Sequence, residues 1–227
     1  MAIIHGKVYI FQGKEWKMRK SAYTINDSII HISDHMTGKM DHIPCISTTC
    51  KCNSYCLERM KHEDLVCFHC FAEKIRKETE SAMRSNFEIL NAGIIPDDQV
   101  PVFVNVKYVR IESFGDIGSV NHALNYIKII RANPEVIFAW WTKNLGLVDR
   151  AFKIAGKPDN VIMVQSAYRL DKPEPKRFPW VDKVFTVYRK KTVKNDGIKI
   201  NCGARSCVTC LRCYKKDTDQ EISEQLK

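Results

Sequence analysis

The chain has 227 residues, a formal net charge of +10, an apolar content of 44% and a charged content of 27%. Its longest apolar runs, such as VIFAWW at 136–141, are far shorter than the roughly 18 residues that a membrane-spanning helix needs. The N-terminal residues lack the charged leader, apolar stretch and small-residue cleavage site of a signal peptide. We therefore expect a cytoplasmic protein with one substantial core and no membrane partner.

The first half of the chain changes from short strands to helix. Residues 1–40 alternate apolar and polar residues in short pieces, which predicts short strands or a hairpin. Between Phe71 and Gly93 apolar residues recur at helical spacing, and Gly93 is placed to end that helix. Residues 100–111 form a strand-like run, and Ser119 is placed to cap a second helix that stops before Pro134.

The second half alternates strand and helix. The apolar runs at 136–141, 160–166 and 183–188 are predicted strands, and residues 145–157 are a third helix that Gly156 ends. This order predicts an α/β fold, either a partial (β/α) barrel or an open parallel sheet with crossover helices and cysteine-rich loops near both ends. We divide the chain into N-terminal strands (1–40), an α/β core (41–200) and a cysteine-rich C-terminal segment with its tail (201–227).

The residues that follow each predicted strand are candidates for a ligand site, because ligands of α/β proteins bind at the carboxyl ends of the strands. These segments are ESFGD at 112–116, TKN at 142–144 and SAY at 166–168. The first cysteine segment precedes the first long helix, so we expect it at the same rim.

All ten cysteines lie in two short segments, 45–70 and 202–213, with none in the long middle. In a reducing compartment this clustering indicates metal ligands rather than disulfides. Cys67 and Cys70 have the C-x2-C spacing of zinc sites and iron–sulfur clusters alike. A single zinc site shared by Cys67, Cys70, Cys207 and Cys210 is a further alternative.

The C-terminal segment has a more specific spacing. Cys207, Cys210 and Cys213 form C-x2-C-x2-C, which favours a [4Fe–4S] cluster with Cys202 as the fourth ligand, while zinc is the alternative metal. The first segment has six cysteines, too many for one four-coordinate site. A cluster held by three of them would leave one iron open to a small molecule. Cys45, beside Pro44, is predicted to be a buried apolar residue.

Positive charge is concentrated between Lys183 and Lys216, where ten Lys and Arg residues face one acid, Asp196, giving +9. This segment can bind DNA or RNA phosphates, or it can offset the charge of metal-bound thiolates. Arg189, Lys190 and Lys191 are the predicted phosphate contacts, and Tyr188 beside them is a candidate to stack on a base.

Three motifs in order resemble a known family. CFHCFAEK followed by a helix, then RIESFGDIGSVNHALNYIKIIRANPEVIFAWWTKN, then CVTCLRCY, are similar to the bacteriophage gene product 88-like proteins. The resemblance covers roughly Cys45 to Tyr214 and implies a protein of the bacterial host cytoplasm.

The layout of that family is in turn similar to radical S-adenosylmethionine enzymes such as spore photoproduct lyase. The resemblance implies a [4Fe–4S] cluster and S-adenosylmethionine that act on an unknown substrate, with an external electron donor. It implies as cluster ligands Cys56, Cys67 and Cys70, with Cys50 and Cys52 as further candidates, and as cofactor-binding residues Gly115, Asp116, Lys143, Asn144 and Ser166. The alternative is a non-catalytic nucleic-acid-binding protein stabilised by zinc or iron–sulfur centres.

Overall fold

The computed structural model describes residues 29–33 and 38–226, and the backbone of short strands nearer the N-terminus. Those strands are β1 (Ala2–Ile4), β2 (Lys7–Gln12), β3 (Glu15–Met18) and β4 (Thr24–Ile25). β1, β2 and β3 form an antiparallel sheet, so short strands do occupy the first forty residues.

A six-stranded parallel sheet is the centre of the fold. Its strands and the remaining short strand are β5 (Cys45–Ile46), β6 (Phe103–Val104), β7 (Tyr108–Ile111), β8 (Ile137–Thr142), β9 (Val161–Ser166), β10 (Lys183–Tyr188) and β11 (Glu221–Gln225). The sheet order is β5-β7-β8-β9-β10-β11, and each neighbouring pair is parallel. β6 pairs instead with β4. The α/β class and the parallel sheet are confirmed.

The strands follow one another in chain order across the sheet, which is the order found in (β/α) barrels. Within the described residues the sheet is nevertheless open, with β5 and β11 at its edges. Because each step moves in the same direction, right-handed crossovers place their helices on one face.

Six α-helices connect or flank these strands in the described part of the chain. They are α1 (Ser54–Arg59), α2 (Lys77–Ala92), α3 (Val120–Arg131), α4 (Leu145–Ala155), α5 (Lys190–Asn195) and α6 (Cys207–Cys210). Ser119 caps α3 as predicted, since its hydroxyl accepts a hydrogen bond from the His122 amide. Gly156 ends α4 with φ of 75°, a conformation that glycine adopts without strain. None of the described helices is both long and apolar enough to cross a bilayer.

The two faces of the sheet are covered differently. Phe138, Trp140 and Met163 pack against α2, α3 and α4 in the main core. The opposite face carries Ala139 and Trp141, and the C-terminal cysteine segment packs over it through Cys213 and Tyr214. One face is therefore a helix layer, and the other is closed by the chain that follows β10.

Two predicted elements have different bounds in the structure. The run 100–111 is two short strands rather than one, because Asn105 takes a left-handed conformation with φ of 62° between β6 and β7. Residues 71–74 are a separate 3₁₀ turn, so α2 begins at Lys77 rather than at Phe71. Both breaks fall where the apolar pattern continues but the backbone turns.

Candidate metal centres

Four cysteines that follow β5 lie together, and we call them the edge site: Cys50, Cys56, Cys67 and Cys70. Cys50 begins a 3₁₀ turn, Cys56 lies in α1, and Cys67 and Cys70 belong to the next turn. Cys50 and Cys70 shift each other's pKa, Cys56 feels the charge of Cys67, and Cys67 feels that of Cys70. The four thiols are therefore electrostatic neighbours.

Burial and mutual contact set the ionisation of these thiols. Burial raises the pKa of both Cys56 and Cys67. The neighbouring Cys50 thiol lowers the pKa of Cys70 to about 6. The neighbouring Cys70 thiol and, after it, burial raise the pKa of Cys50. The group thus contains one thiol that ionises readily and three that resist ionisation.

Cys45 and Cys52 lie outside this group. Cys45 is 1% exposed in β5, and its sulfur lies 2.9 Å from the Ser47 hydroxyl and 3.1 Å from the Ser113 hydroxyl. Its predicted burial is confirmed. Cys52 faces α2, where its pKa responds to the charges of Arg84 and to nearby glutamates after the dominant effect of burial. Of the two further candidates, only Cys50 joins the edge site.

Asp116 connects the loop after β7 to the end of β8. Its carboxylate accepts hydrogen bonds from the Thr142 hydroxyl at 2.5 Å, the Lys143 amide at 2.8 Å and the Ile117 amide at 2.8 Å. Burial raises its pKa, although these donors act in the opposite direction. The carboxylate is thus engaged in holding two strand ends together.

Gly115 permits a close approach between two loops. A β-carbon at this position would lie 2.3 Å from the Thr48 hydroxyl oxygen and 2.7 Å from the Thr48 carbonyl oxygen. Only glycine leaves room for Thr48, which stands two residues before Cys50. The glycine predicted to hold a cofactor therefore positions the cysteine loop.

The remaining predicted cofactor residues meet at the same rim. The Lys143 ammonium donates to the Ser166 hydroxyl at 3.1 Å, and the Asn144 amide nitrogen donates to the Ile117 carbonyl at 3.3 Å. The charge of Lys143 opposes the larger effect of burial on the pKa of Cys67 and adds to the effect of Cys50 on the pKa of Cys70, so this charge reaches the edge site. The predicted meeting of the first cysteine segment with the strand ends is confirmed.

Sequence analysis did not single out a buried network beside this rim. Glu112 is 3% exposed and left-handed, with φ of 56°. Its carboxylate accepts from the Thr48 hydroxyl at 2.9 Å and the Tyr126 hydroxyl at 2.7 Å, and His122 Nε2 lies 3.4 Å away. The Gly118 amide donates to Nδ1 of that histidine, which assigns the proton to Nε2. The sequence signal that could have revealed this network is an acidic residue, Glu112, directly after a buried strand.

The C-terminal cysteines form a second group, which we call the face site: Cys202, Cys207, Cys210 and Cys213. They line one small cavity together with Lys39, Arg110 and Arg212. Burial raises the pKa of Cys213 to about 12, while the charge of Arg110 opposes that effect. The Lys39 ammonium lies 3.3 Å from the Cys202 sulfur.

The face site lies on the sheet face opposite α2, α3 and α4. Trp141, Cys202 and Cys213 pack against the same apolar cluster on this face, and Cys207 packs against the neighbouring cluster that contains Ala139 and Tyr214. The thiols whose charges raise the pKa of Cys207 and Cys213 all belong to the face site. The structure thus groups Cys207 and Cys210 with Cys202 and Cys213, whereas a single zinc site shared with Cys67 and Cys70 stays an untested alternative.

The donor sets suit metal, although the sulfurs do not converge. Among residues 29–33 and 38–226, no group of three or more His, Cys, Asp or Glu side chains is arranged to hold an ion. Each group nevertheless offers four thiols, the number that zinc and a [4Fe–4S] cluster both take. At the face site the Nε atom of Arg110 is also buried without a hydrogen-bond partner. A cation and an unused donor beside four thiols fit an anionic centre.

Several side chains of the basic segment 183–216 are buried or paired within the fold. Lys183 is 1% exposed, and its ammonium donates to Thr218 and to the Asp219 carbonyl. Tyr188 is 6% exposed in β10, so its predicted stacking on a base is wrong. Arg189 pairs with Asp171 at 2.6 Å. Of the predicted phosphate contacts, Lys190 and Lys191 remain as exposed side chains on α5.

Fold and sites together define a class: an α/β protein with an open parallel sheet and two groups of four cysteines, one at the carboxyl edge and one on a face. The chain belongs to the gene product 88 family of bacteriophage proteins, whose family model matches residues 12–224. No curated protein and no solved structure matches the chain. The family match confirms the resemblance drawn from the motifs, and the likeness to radical S-adenosylmethionine enzymes stays a prediction.

Proposed function

We propose that the protein is an iron–sulfur protein whose edge site holds the reactive cluster and whose face site holds a second metal–thiolate centre. The observation that carries this proposal is the division of ten cysteines into two groups of four plus two residues, Cys45 and Cys52, with other surroundings. If the cysteines served only as small apolar residues, packing alone would not require them to lie in groups of four.

The position of the edge site favours reactivity there. Ligands of parallel α/β sheets bind at the carboxyl ends of the strands, where Lys143 and Ser166 lie beside the cysteines. An iron–sulfur cluster at this place supplies one-electron transfer. Lys143 would offer its positive charge to an anionic centre, and Asp116 would keep the amide of Lys143 in place. The face site, covered by the C-terminal segment, would fasten that segment to the sheet.

A narrower hypothesis is that the edge site binds S-adenosylmethionine as a radical enzyme does. It requires three cysteine ligands and one open coordination position, whereas the structure gathers four thiols. Cys50 therefore decides between the two arrangements. If Cys50 is a ligand, the cluster is closed by protein; if it is not, Cys56, Cys67 and Cys70 leave a position for a substrate or cofactor.

Cysteine variants analysed for iron, acid-labile sulfide and zinc after anaerobic purification test the proposal. Cys67→Ala should lose the metal of one centre and Cys207→Ala that of the other, because each removes one ligand from a different group. Cys52→Ala is the matched control, since this thiol lies in the same loop but faces α2, and it should retain both centres. Cys50→Ala in the same series reports whether the fourth thiol is a ligand.

Equal metal content in Cys67→Ala and wild-type protein would contradict an edge site built from these residues. Loss of metal in Cys52→Ala to the same extent as in Cys67→Ala would show that the grouping is wrong. Stoichiometric zinc without sulfide in the wild-type protein would replace the iron–sulfur proposal by the zinc alternative.

The second candidate function is binding of DNA or RNA. The observation that favours it is the exposed pair Lys190 and Lys191 on α5, which form no ion pair within the described part of the chain. Exposed lysines without carboxylate partners attract phosphates through charge alone. This candidate is compatible with the metal centres, because α5 contributes no ligand to either site.

A further inference from the structure

Arg110 is a cation without an anion. It lies in β7 on the face opposite the helix layer, and its Nε is buried with no hydrogen-bond partner. The residue forms no ion pair among residues 29–33 and 38–226. Its guanidinium carbon lies 3.7 Å from the centroid of the Trp141 ring, so the aromatic ring covers one side of the charge. Burial of an N–H donor without a partner is costly, and native folds rarely retain it.

A second donor on the same surface is also unused. The Nε1 atom of Trp141 is buried and has no hydrogen-bond partner, and its ring lies under the Arg110 guanidinium and packs against the same apolar cluster as Cys202 and Cys213 of the face site. Buried N–H groups are paired in the large majority of cases. Two buried N–H donors without partners thus lie against one another, and Arg110 also lines the cavity of the four thiols. This arrangement points to a hydrogen-bond acceptor that binds in the cavity.

The other cations of the cavity already have carboxylate partners. Lys39 pairs with Glu224 at 2.5 Å, and Arg212 pairs with Asp219 at 2.6 Å. Four thiolates around a zinc ion or around a [4Fe–4S]2+ core carry a net charge of about −2. Arg110 is thus the cation of this cavity that is left to meet the charge of the centre, whichever metal occupies it.

We propose that Arg110 and Trp141 form an outer-shell platform that retains an anionic tetrathiolate centre in the face site, Arg110 by charge and both residues by N–H donation to its sulfurs. This role rests on the metal centre proposed above for Cys202, Cys207, Cys210 and Cys213. Donors of this kind orient metal ligands, and replacing them typically costs 10–100-fold in metal affinity.

The test is the rate at which the full-length, metal-loaded protein releases metal to an excess of a chromogenic chelator. Arg110→Gln should release the face-site metal about 10–100-fold faster than wild type. Arg110→Lys keeps the charge and should recover most of the loss. Trp141→Phe keeps the ring and removes only a donor, so it should accelerate release less than Arg110→Gln. The phase that disappears in Cys207→Ala identifies the face site.

Two controls separate this role from a general loss of structure. Release from the edge site of the same molecules should keep its wild-type rate, and Lys190→Gln removes an exposed charge on α5, which does not line the cavity, and should change neither phase. Unchanged face-site release in Arg110→Gln overturns the proposal, as does release from Arg110→Lys as fast as from Arg110→Gln. If Arg110→Gln does not fold, Trp141→Phe takes its place, and a wild-type rate there overturns the proposal.

The metal content of wild-type protein keeps the two proposals distinguishable. A face site without any metal refutes the centre itself, and this is seen before any rate is measured. If the face site holds metal but its rate of metal release does not depend on Arg110 or Trp141, only the platform is refuted.

Discussion

At the scale of single residues, contacts assign Gly115 a role different from the one its motif predicts. The Ser-Phe-Gly-Asp turn was identified as a cofactor site, yet Thr48 fills the space that a β-carbon at Gly115 would need. The turn therefore acts on the edge site indirectly, by fixing the loop that leads from β5 to Cys50. Asp116 acts in the same manner through Thr142 and Lys143.

Gly115→Ala should lower the free energy of unfolding by about 1–3 kcal/mol, the usual cost of overpacking a filled site. The control is Gly146→Ala in α4, where a β-carbon meets nothing within 4 Å. Alanine there should raise stability by roughly 0.5–1 kcal/mol, since it favours the helix. Urea unfolding of both variants measures the difference. Equal stability of Gly115→Ala and wild type would mean that Thr48 moves freely and that the turn does not position the cysteine loop.

At the scale of elements, α3 and α4 were predictable because apolar periodicity and local caps agree, as at Ser119 and Gly156. β5 and β11 were not, because β5 has two residues and β11 has one buried apolar residue, Ile222. Periodicity cannot detect strands that short or that polar. Their pairing is decided by the neighbouring strands β7 and β10, which only the folded chain brings beside them.

The same limit applies to the cysteines. Cys50 and Cys52 belong to one 3₁₀ turn, where three residues complete a turn and residues two apart therefore point to different sides. Spacing makes both candidates for the proposed metal centre, but only the fold shows which one lies beside Cys70. The C-x2-C-x2-C run gave the face site directly, since its three cysteines do line one cavity.

Helix α5 carries the prediction for nucleic acid. Replacing Lys190 and Lys191 together by Gln should flatten the slope of log affinity against log salt by roughly two units for duplex DNA, because each phosphate contact contributes about 0.9. The control is the double variant Lys61→Gln, Lys153→Gln, which removes the same amount of positive charge. These two lysines pair with acids on α1 and α4 and do not lie on α5. An equal change of slope in both double variants would mean that net charge, and not α5, attracts the polyanion.

At the scale of the whole molecule, the sheet separates two chemical environments. Its carboxyl edge brings the edge site together with Lys143 and Ser166, and the face opposite α2, α3 and α4 supports the face site beside Arg110. The long cysteine-free middle supplies the strands and helices that hold these places apart. The parallel sheet followed from the order of apolar runs, whereas the covering of its second face by the C-terminal segment did not, because that segment lacks a continuous apolar pattern.

The central claim is that thiols gathered in fours hold metal, with an iron–sulfur cluster at the edge site. The most direct measurement is the iron, acid-labile sulfide and zinc content of the wild-type protein purified without oxygen. We expect iron and sulfide in equal amounts, near four of each per chain for one cluster and eight for two, with zinc only where the face site takes it. Protein that folds with neither iron nor sulfide, even after anaerobic reconstitution, would contradict the account.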